Sequence, residues 1–370
     1  MIPLVDLAVQ HALVAEEVEE GFADVLSTGD FVGGKAVTAF EQEYAQFVGT
    51  RSCVGVGNGT DALELALRAV GVRPGDEVVV PANTFIATAE AVVRAGARPV
   101  FVDVDDDALL IEPTAVEEAL TERTRAVIPV DLYGQVAPFE QLAPSMADRG
   151  VAVVEDAAQS QGATRHGRCA GSFGAAAGTS FYPGKNLGAY GDAGAVTTDD
   201  EELAGRVRLL GAHGSPTKYE HTHVGFNSRL DTLQAVVLRA KLRRLRRWNA
   251  ERREAAAAYD EMLDGTPGLR LPAVLPGNEH AWHLYVVRVE GRDSVLESLH
   301  ARGVGAGVHY PVPVHLTPAM GEYGHGPGSL PVCERAAGRL LSLPLFPGIT
   351  RAQQEQVSES LRAALCAGSR

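Results

Sequence analysis

Short apolar runs alternating with helix-forming stretches are the feature that most narrows the folds open to this chain. "ARPVFVDV" (97–104), "TRAVIPVDLYG" (124–134) and "VAVVEDAAQS" (151–160) are rich in β-branched residues and lack the alternation of a half-exposed strand. Between such runs lie segments of helical composition, "TFIATAEAVVRAG" (84–96) and "EPTAVEEALTE" (112–122). Strands that are apolar throughout need cover on both faces, so this order predicts a largely parallel sheet between two layers of helices.

The texture changes after "SRLDTLQAVVLRAKLRRLRRWNAERREAAAAYDEML", which reads as one long helix or two joined ones. Pro and Gly then recur, "AWHLYVVRV" reads as a strand, and "DSVLESLHARG" as a helix ending near Gly303. At 370 residues the chain is longer than one hydrophobic core usually supports. Two domains are expected: a large α/β domain over 1–248 and a smaller α+β domain over 249–370. In and just before "KLRRLRRW" the leucines at 238, 242 and 245 have helical spacing, which assigns the arginines to the wet face of a helix.

With 33 Lys and Arg against 47 Asp and Glu, the net charge of −14 argues against nucleic acid or anionic membrane as a partner. No run is long and apolar enough to span a bilayer, and the first residues lack a basic stretch ahead of an apolar core, so a cytoplasmic protein is expected. The four cysteines are far apart and form no C-x-x-C pair, which suggests neither a zinc site nor a disulfide framework. "DVDDD" lacks the Gly and Glu of a calcium loop, with Ala108 and Thr114 in their places, and no metal is expected.

One lysine stands apart. In "SFYPGKNLGAYGDAG" Lys185 lies among aromatic, proline and glycine residues, with Asp192 the nearest acid along the chain. It does not belong to a nucleotide-hydrolysing loop, because Thr179 and Asn186 occupy the glycine and magnesium-ligand positions. "GVGNGT" is a glycine-rich turn that opens a helix, where free N–H groups and the helix dipole favour a phosphate. Asp156 ends the strand "VAVVED", and ligands of open parallel sheets gather at such strand ends. A phosphate cradle, a strand-end carboxylate and a lysine in a dry loop are together the parts that a pyridoxal phosphate site requires.

The motifs "GNGTDALELAL", "PANTFIATAEAV", "VEDAAQSQGA", "SFYPGKNLGAYGDAGAV", "GFNSRLDTLQA" and "HYPVPVHL" occur in that order over nearly the whole chain. In this the sequence resembles the DegT/DnrJ/EryC1/StrS family of sugar aminotransferases. Through "GVHYPVPVHL" and "EHAWHLYVV" it is most similar to enzymes that aminate nucleotide-linked 3-keto-deoxysugars for antibiotic deoxysugars. The resemblance implies the aspartate-aminotransferase-like fold (fold type I) and pyridoxal 5′-phosphate as cofactor. It also implies L-glutamate as amino donor, and a cytoplasmic homodimer with shared active sites.

By the same resemblance Lys185 would be linked covalently to the cofactor. Asp156 would bond the pyridine nitrogen, Gln159 the ring hydroxyl, and Phe85 would stack on the ring. Gly59, Thr60 and Ser180 would bind the phosphate, with Asn227 reaching it from the neighbouring subunit. Lys218, Tyr219, His309, Tyr310 and His315, in loops rich in His and Tyr, are the candidates for contacting the nucleotide sugar. Many relatives read "PVHLYGQ" where this chain has "PVDLYGQ", and Asp131 is given no role. A 4-keto hexose or a keto-pentose fits the same motifs. A cofactor-matched dehydratase is disfavoured because histidine replaces the lysine in such relatives. A non-catalytic regulator would need a partner or DNA-binding surface that the sequence does not display.

Overall fold

Seven strands form the main sheet of the computed structural model, which describes residues 1–324 and 326–368. They are β1 (Ser52–Val56), β2 (Glu77–Pro81), β3 (Arg98–Val102), β4 (Thr124–Val127), β5 (Ala152–Asp156), β6 (Ala176–Ser180) and β7 (Gly194–Thr198). Their order is β1-β7-β6-β5-β4-β2-β3, and all pairings are parallel except the two made by β7. Asp156 pairs with Gly178 in the register of β5 and β6.

The apolar runs supply both faces of this sheet. Val78 and Val80 of β2 join a core with Val54, Leu63 and Val196, while Val79 faces the opposite core with Val127, Phe139 and Val153. All three valines are fully buried, each contributing roughly 1.5–3 kcal/mol by leaving water. Two helices that follow strands matter for the site: α1 (Gly59–Ala69) after β1 and α2 (Ile86–Arg94) after β2. The α1 helix starts at Asn58, whose side-chain oxygen accepts a bond from Asp61 N at 2.8 Å. It lies so close to β6 that a Cβ on Gly178 would come within 2.8 Å of Leu63 Cδ2.

The basic run folds as a single 32-residue helix, α3 (Thr232–Leu263), with Leu238, Leu242 and Leu245 buried. The expected division at 248 falls inside this helix. Its first half packs on a core with Phe40, Phe181 and Leu187, and its far end enters a separate core. That second core is built from Tyr259 and Leu263, β8 (Leu269–Arg270), β9 (Tyr285–Val289), β10 (Leu340–Leu343) and helix α5 (Arg351–Gly368), which follows the short helix α4 (Pro331–Ala337). β8, β9 and β10 form an antiparallel three-stranded sheet, and Ile2 from the other end of the chain packs against it. No helix among the described residues is long and apolar enough to cross a membrane.

"DVDDD" is a turn that ties these parts together. Asp103 accepts bonds from Val332 N and Cys333 N at the start of α4, Asp105 accepts from Asp107 N and Ala108 N, and Asp106 pairs with Arg270 at 2.7 Å.

Candidate active site

The parallel strands set where a site can form. β1, β2, β5 and β6 all end on the same side, so the N-termini of α1 and α2 meet Asp156 and Ser180 there. These ends border a cavity of 570 Å³, closed on its other side by Leu4 and Val5 and by His283, His309 and Tyr310 from the C-terminal half. Gly59, Thr60, Phe85, Asp156, Gln159, Ser180 and Lys185 all line it. The structure thus brings together nine of the residues singled out in the sequence.

Asp156 sits at the bottom, 5% exposed. One carboxylate oxygen accepts from Thr88 Oγ1 at 2.7 Å and the other from Ala158 N at 3.1 Å. Thr88 Oγ1 in turn lies 2.7 Å from Thr84 Oγ1, so the carboxylate is fixed by a short hydroxyl chain. Burial raises its pKa, an effect opposed by those bonds and by the positive charge of Lys185. The half-buried Lys185 shows the complementary effect: burial lowers its pKa to about 8 against the pull of Asp156. Its amine is therefore uncharged in about a tenth of molecules at neutral pH, far more than for an ordinary surface lysine.

Gln159 bridges two segments. Its oxygen accepts from Tyr133 N at 2.8 Å and its amide donates to Tyr310 OH at 3.0 Å. Phe85, the residue before α2, is 52% exposed and presents its ring to the cavity beside Tyr310, with 5.5 Å between centroids. His309 is held at both ends: Nδ1 lies 2.8 Å from Ser342 Oγ, and its carbonyl accepts from Tyr133 OH at 2.6 Å.

Other expected site residues lie elsewhere. Lys218 and Tyr219 occupy an exposed loop, Tyr219 being 81% exposed with the Lys218 ammonium 5.2 Å from its ring. Asn227 is exposed and accepts a bond from Arg229 at 2.8 Å. His315 corrects the sequence reading. The turn Val314–Leu316 points its ring inward, where it is 1% exposed with Nε2 3.2 Å from Glu334, and it does not line the cavity.

His283 is a cavity residue that the sequence reading quoted within "EHAWHLYVV" without assigning. Its Nδ1 lies 3.2 Å from Asn186 Oδ1, and burial, with the nearby charge of Lys185, lowers its pKa well below that of free imidazole. It therefore faces the cavity as a neutral ring. Asp131, given no role, is completely buried behind Asp156. It accepts from Ala137 N at 2.8 Å and Ser160 Oγ at 3.0 Å and meets the equally buried Glu155, which accepts from Gly171 N and Phe173 N. Two carboxyls so buried do not both ionise readily, and burial pushes Asp131 up to about 7.

The shape and donor set of the cavity fit pyridoxal phosphate. Gly59 lies against Ser180 so closely that a Cβ there would fall 2.6 Å from Ser180 Cβ, leaving a cradle of backbone N–H groups and two hydroxyls at the start of α1. Asp156 offers the buried anion that a pyridinium nitrogen needs, and Lys185 the amine for its aldehyde.

Comparison with known proteins agrees with this geometry. The model of the DegT/DnrJ/EryC1/StrS aminotransferase family matches residues 13–362. The dTDP-3-amino-3,4,6-trideoxy-alpha-D-glucose transaminase of Streptomyces venezuelae is 46% identical over 362 residues, 98% of this chain and 95% of its own. The UDP-2-acetamido-2-deoxy-3-oxo-D-glucuronate aminotransferase of Pseudomonas aeruginosa is 42% identical over 98% of this chain and 99% of its own. The crystal structure of S. venezuelae DesV superposes with a TM-score of 0.96 at 44% identity, covering 98% of both chains. Further solved relatives carry the cofactor in its pyridoxal or pyridoxamine form. The chain belongs to the DegT/DnrJ/EryC1/StrS aminotransferase family and is a sugar aminotransferase that works with pyridoxal 5′-phosphate.

Proposed function

We propose that the enzyme transfers the amino group of L-glutamate to the ketone of a nucleotide-linked deoxysugar, dTDP-3-keto-6-deoxyhexose, in the synthesis of an aminodeoxysugar for a secondary metabolite. The observation that carries this reading is one cavity in which Lys185, Asp156 and the Gly59–Ser180 cradle converge, in a chain of which 98% aligns with a dTDP-3-amino-sugar transaminase.

When bound, pyridoxal phosphate carries the amino group from donor to acceptor and serves as electron sink for the bond broken at carbon. The protein's part is division of labour. Gly59, Thr60 and Ser180 hold the phosphate, and Phe85 covers the ring. Asp156, held by Thr88 and Ala158 and facing the positive charge of Lys185, would hold a proton on the pyridine nitrogen. Gln159 is placed by Tyr133 and Tyr310 to bond the ring hydroxyl. Lys185 would hold the aldehyde, and its Nζ would take the α-proton of glutamate and later return a proton to the sugar carbon.

Substrate contacts fall into two groups in this reading. His309 and Tyr310 act from within the chain's own cavity. Lys218, Tyr219 and Asn227, exposed on the single chain, act on the cavity of a second copy, which makes the working unit a cytoplasmic homodimer. The high exposure of Val224, Phe31 and Val32 suits such pairing. In this reading residues 1–248 form the large cofactor-binding domain and 249–370 the small C-terminal domain, with the substrate cavity lined from both.

The test is a panel of dTDP- and UDP-linked 3-keto and 4-keto sugars, incubated with glutamate and followed by 2-oxoglutarate release. Turnover of the dTDP-3-keto-6-deoxyhexose at least tenfold above the others is expected. Preference for a 4-keto sugar or a pentose would move the assignment to that substrate, and donor-independent loss of a sugar hydroxyl would sink the transaminase reading.

A further inference from the structure

A second cavity, of 360 Å³, lies outside the active site and shares no lining residue with it. It is bounded by β8, the end of β9, α4 and the "DVDDD" turn. Four guanidinium groups face it, Arg270, Arg288, Arg335 and Arg339, against two carboxylates, Asp106 and Glu290. For a chain of net charge −14, this is a pronounced local reversal of sign.

The ion pairs account for only part of that charge. Arg270 pairs with Asp106 and with Asp107 beside it, and Arg288 donates to the backbone oxygen of Asp106 at 2.6 Å and lies 3.5 Å from its carboxylate. Arg339 pairs at 2.7 Å with Glu290, a residue mostly in water, where an ion pair adds little. Arg335 forms no ion pair among the described residues and meets the cavity from the last turn of α4. Arg288 forms a buried floor, its side chain 8% exposed. Burial and the charge of Arg270 lower its pKa against the pull of Asp105, Asp106 and Asp107, and a bound anion would add to that pull.

We propose that this cavity binds a small, doubly charged phosphate monoester, gripped by Arg335 and Arg339 above Arg288. Each part of that assignment has its own ground. Guanidinium forks match phosphate oxygens in geometry. Arg335 has no ion-pair partner among the described residues and Arg339 only the solvated Glu290, so these two guanidiniums are left to meet the two charges of a dianion. The volume lies in the range of small-molecule sites, about 300–1,000 Å³. Among the described residues no aromatic side chain lines the cavity, so it has no platform for a nucleobase, and the phosphate must supply the recognition.

Glycerol 3-phosphate titrated calorimetrically into the cofactor-loaded enzyme tests this, because the cofactor already fills the phosphate cradle of the active site. The expected result is one site per chain, unaffected by saturating dTDP and weakened at least tenfold in Arg335→Ala/Arg339→Ala. Both arginines are exposed, and an unchanged melting temperature checks that the variant folds; should it not, Arg335→Gln alone takes its place with the same expectation. Absence of binding, equal affinity in the variant, displacement by dTDP, or tighter binding of 2-oxoglutarate than of the phosphate would each overturn the assignment. Binding is read without turnover, so the outcome is independent of which sugar the enzyme aminates.

Discussion

The wall of the cavity formed by β5, β6 and the Lys185 loop differs in kind from the loop that carries Lys218, Tyr219 and Asn227. In the first, two polar groups are held by the chain itself: Asp156 by Thr88 and Ala158, Gln159 by Tyr133 and Tyr310. In the second, Tyr219 and Val224 stand almost fully in solvent. In the proposed dimer, a site with one preorganised half and one exposed half would separate two tasks. The fixed half suits a resident cofactor whose chemistry tolerates little displacement, and the exposed half suits a substrate that must enter and leave.

The largest expected effect comes from the fixed half. Lys185→Ala removes both the anchor and the proton carrier proposed there, so 2-oxoglutarate release should fall at least about 10³-fold, while the melting temperature stays near that of the parent. A variant retaining a tenth of the parent rate would break the comparison, because the wall would then be scaffolding only.

Asp156→Asn keeps the size and the bonding partners of that side chain but removes its charge. If electrostatics on the ring nitrogen is its task, the rate should fall by about 10²-fold or more, with KM for glutamate changed far less. The bound cofactor's absorbance should also shift, since the ring would lose its partner. Equal losses from Asp156→Asn and Thr88→Val would show that orientation, rather than charge, is what matters.

Behind that wall, Asp131 gives a pH-dependent test of how tightly the fixed half is built. Its pKa in the folded chain, about 7, lies above the ordinary value near 4 of the unfolded chain. The folded state then holds its proton more firmly, so Asp131's contribution to stability is greatest below pH 4 and is lost as pH rises toward 7. Asp131→Asn, which cannot ionise, should be more stable relative to the parent at pH 8 than at pH 5 in denaturant titrations. Parallel curves at the two pH values would mean that the buried pair with Glu155 carries no shared proton.

Legibility in the sequence follows the same divide. The parallel sheet, Asp156 and Lys185 were readable because each depends on local pattern: an apolar run, an acid at its end, a lysine in a glycine-rich loop. β6, "AAGTS", was not read as a strand, because small residues have low strand propensity; they occur there because α1 packs against them, as Leu63 shows at Gly178. His283, Leu4 and Val5 escaped because tertiary packing alone brings them to the cavity. Asp131 escaped because two of its partners, Glu155 and Ser160, lie on a separate stretch, β5 and the turn after it, which only the fold brings beside it. His315 was misplaced for the opposite reason: it is five residues from Tyr310, but an intervening turn sends its ring to Glu334.

The smallest expected effect belongs to the exposed half and is also the most diagnostic. Lys218 touches nothing deeper than the ring of Tyr219, so Lys218→Ala should leave melting temperature and the glutamate half-reaction unchanged. If the loop serves the nucleotide of the sugar across a dimer, KM for the nucleotide sugar should rise several-fold with kcat held, as expected for one exposed charge lost against a phosphate. The rise should shrink as salt is added, because such a contact is screened over about 8–10 Å. A fall in kcat for the glutamate half-reaction would instead place Lys218 in the cofactor's own machinery and erase the distinction between the two halves. No change in any parameter would leave the exposed half to Tyr219, Asn227 and the partner surface, and Tyr219→Ala would then be the variant that has to show the KM effect.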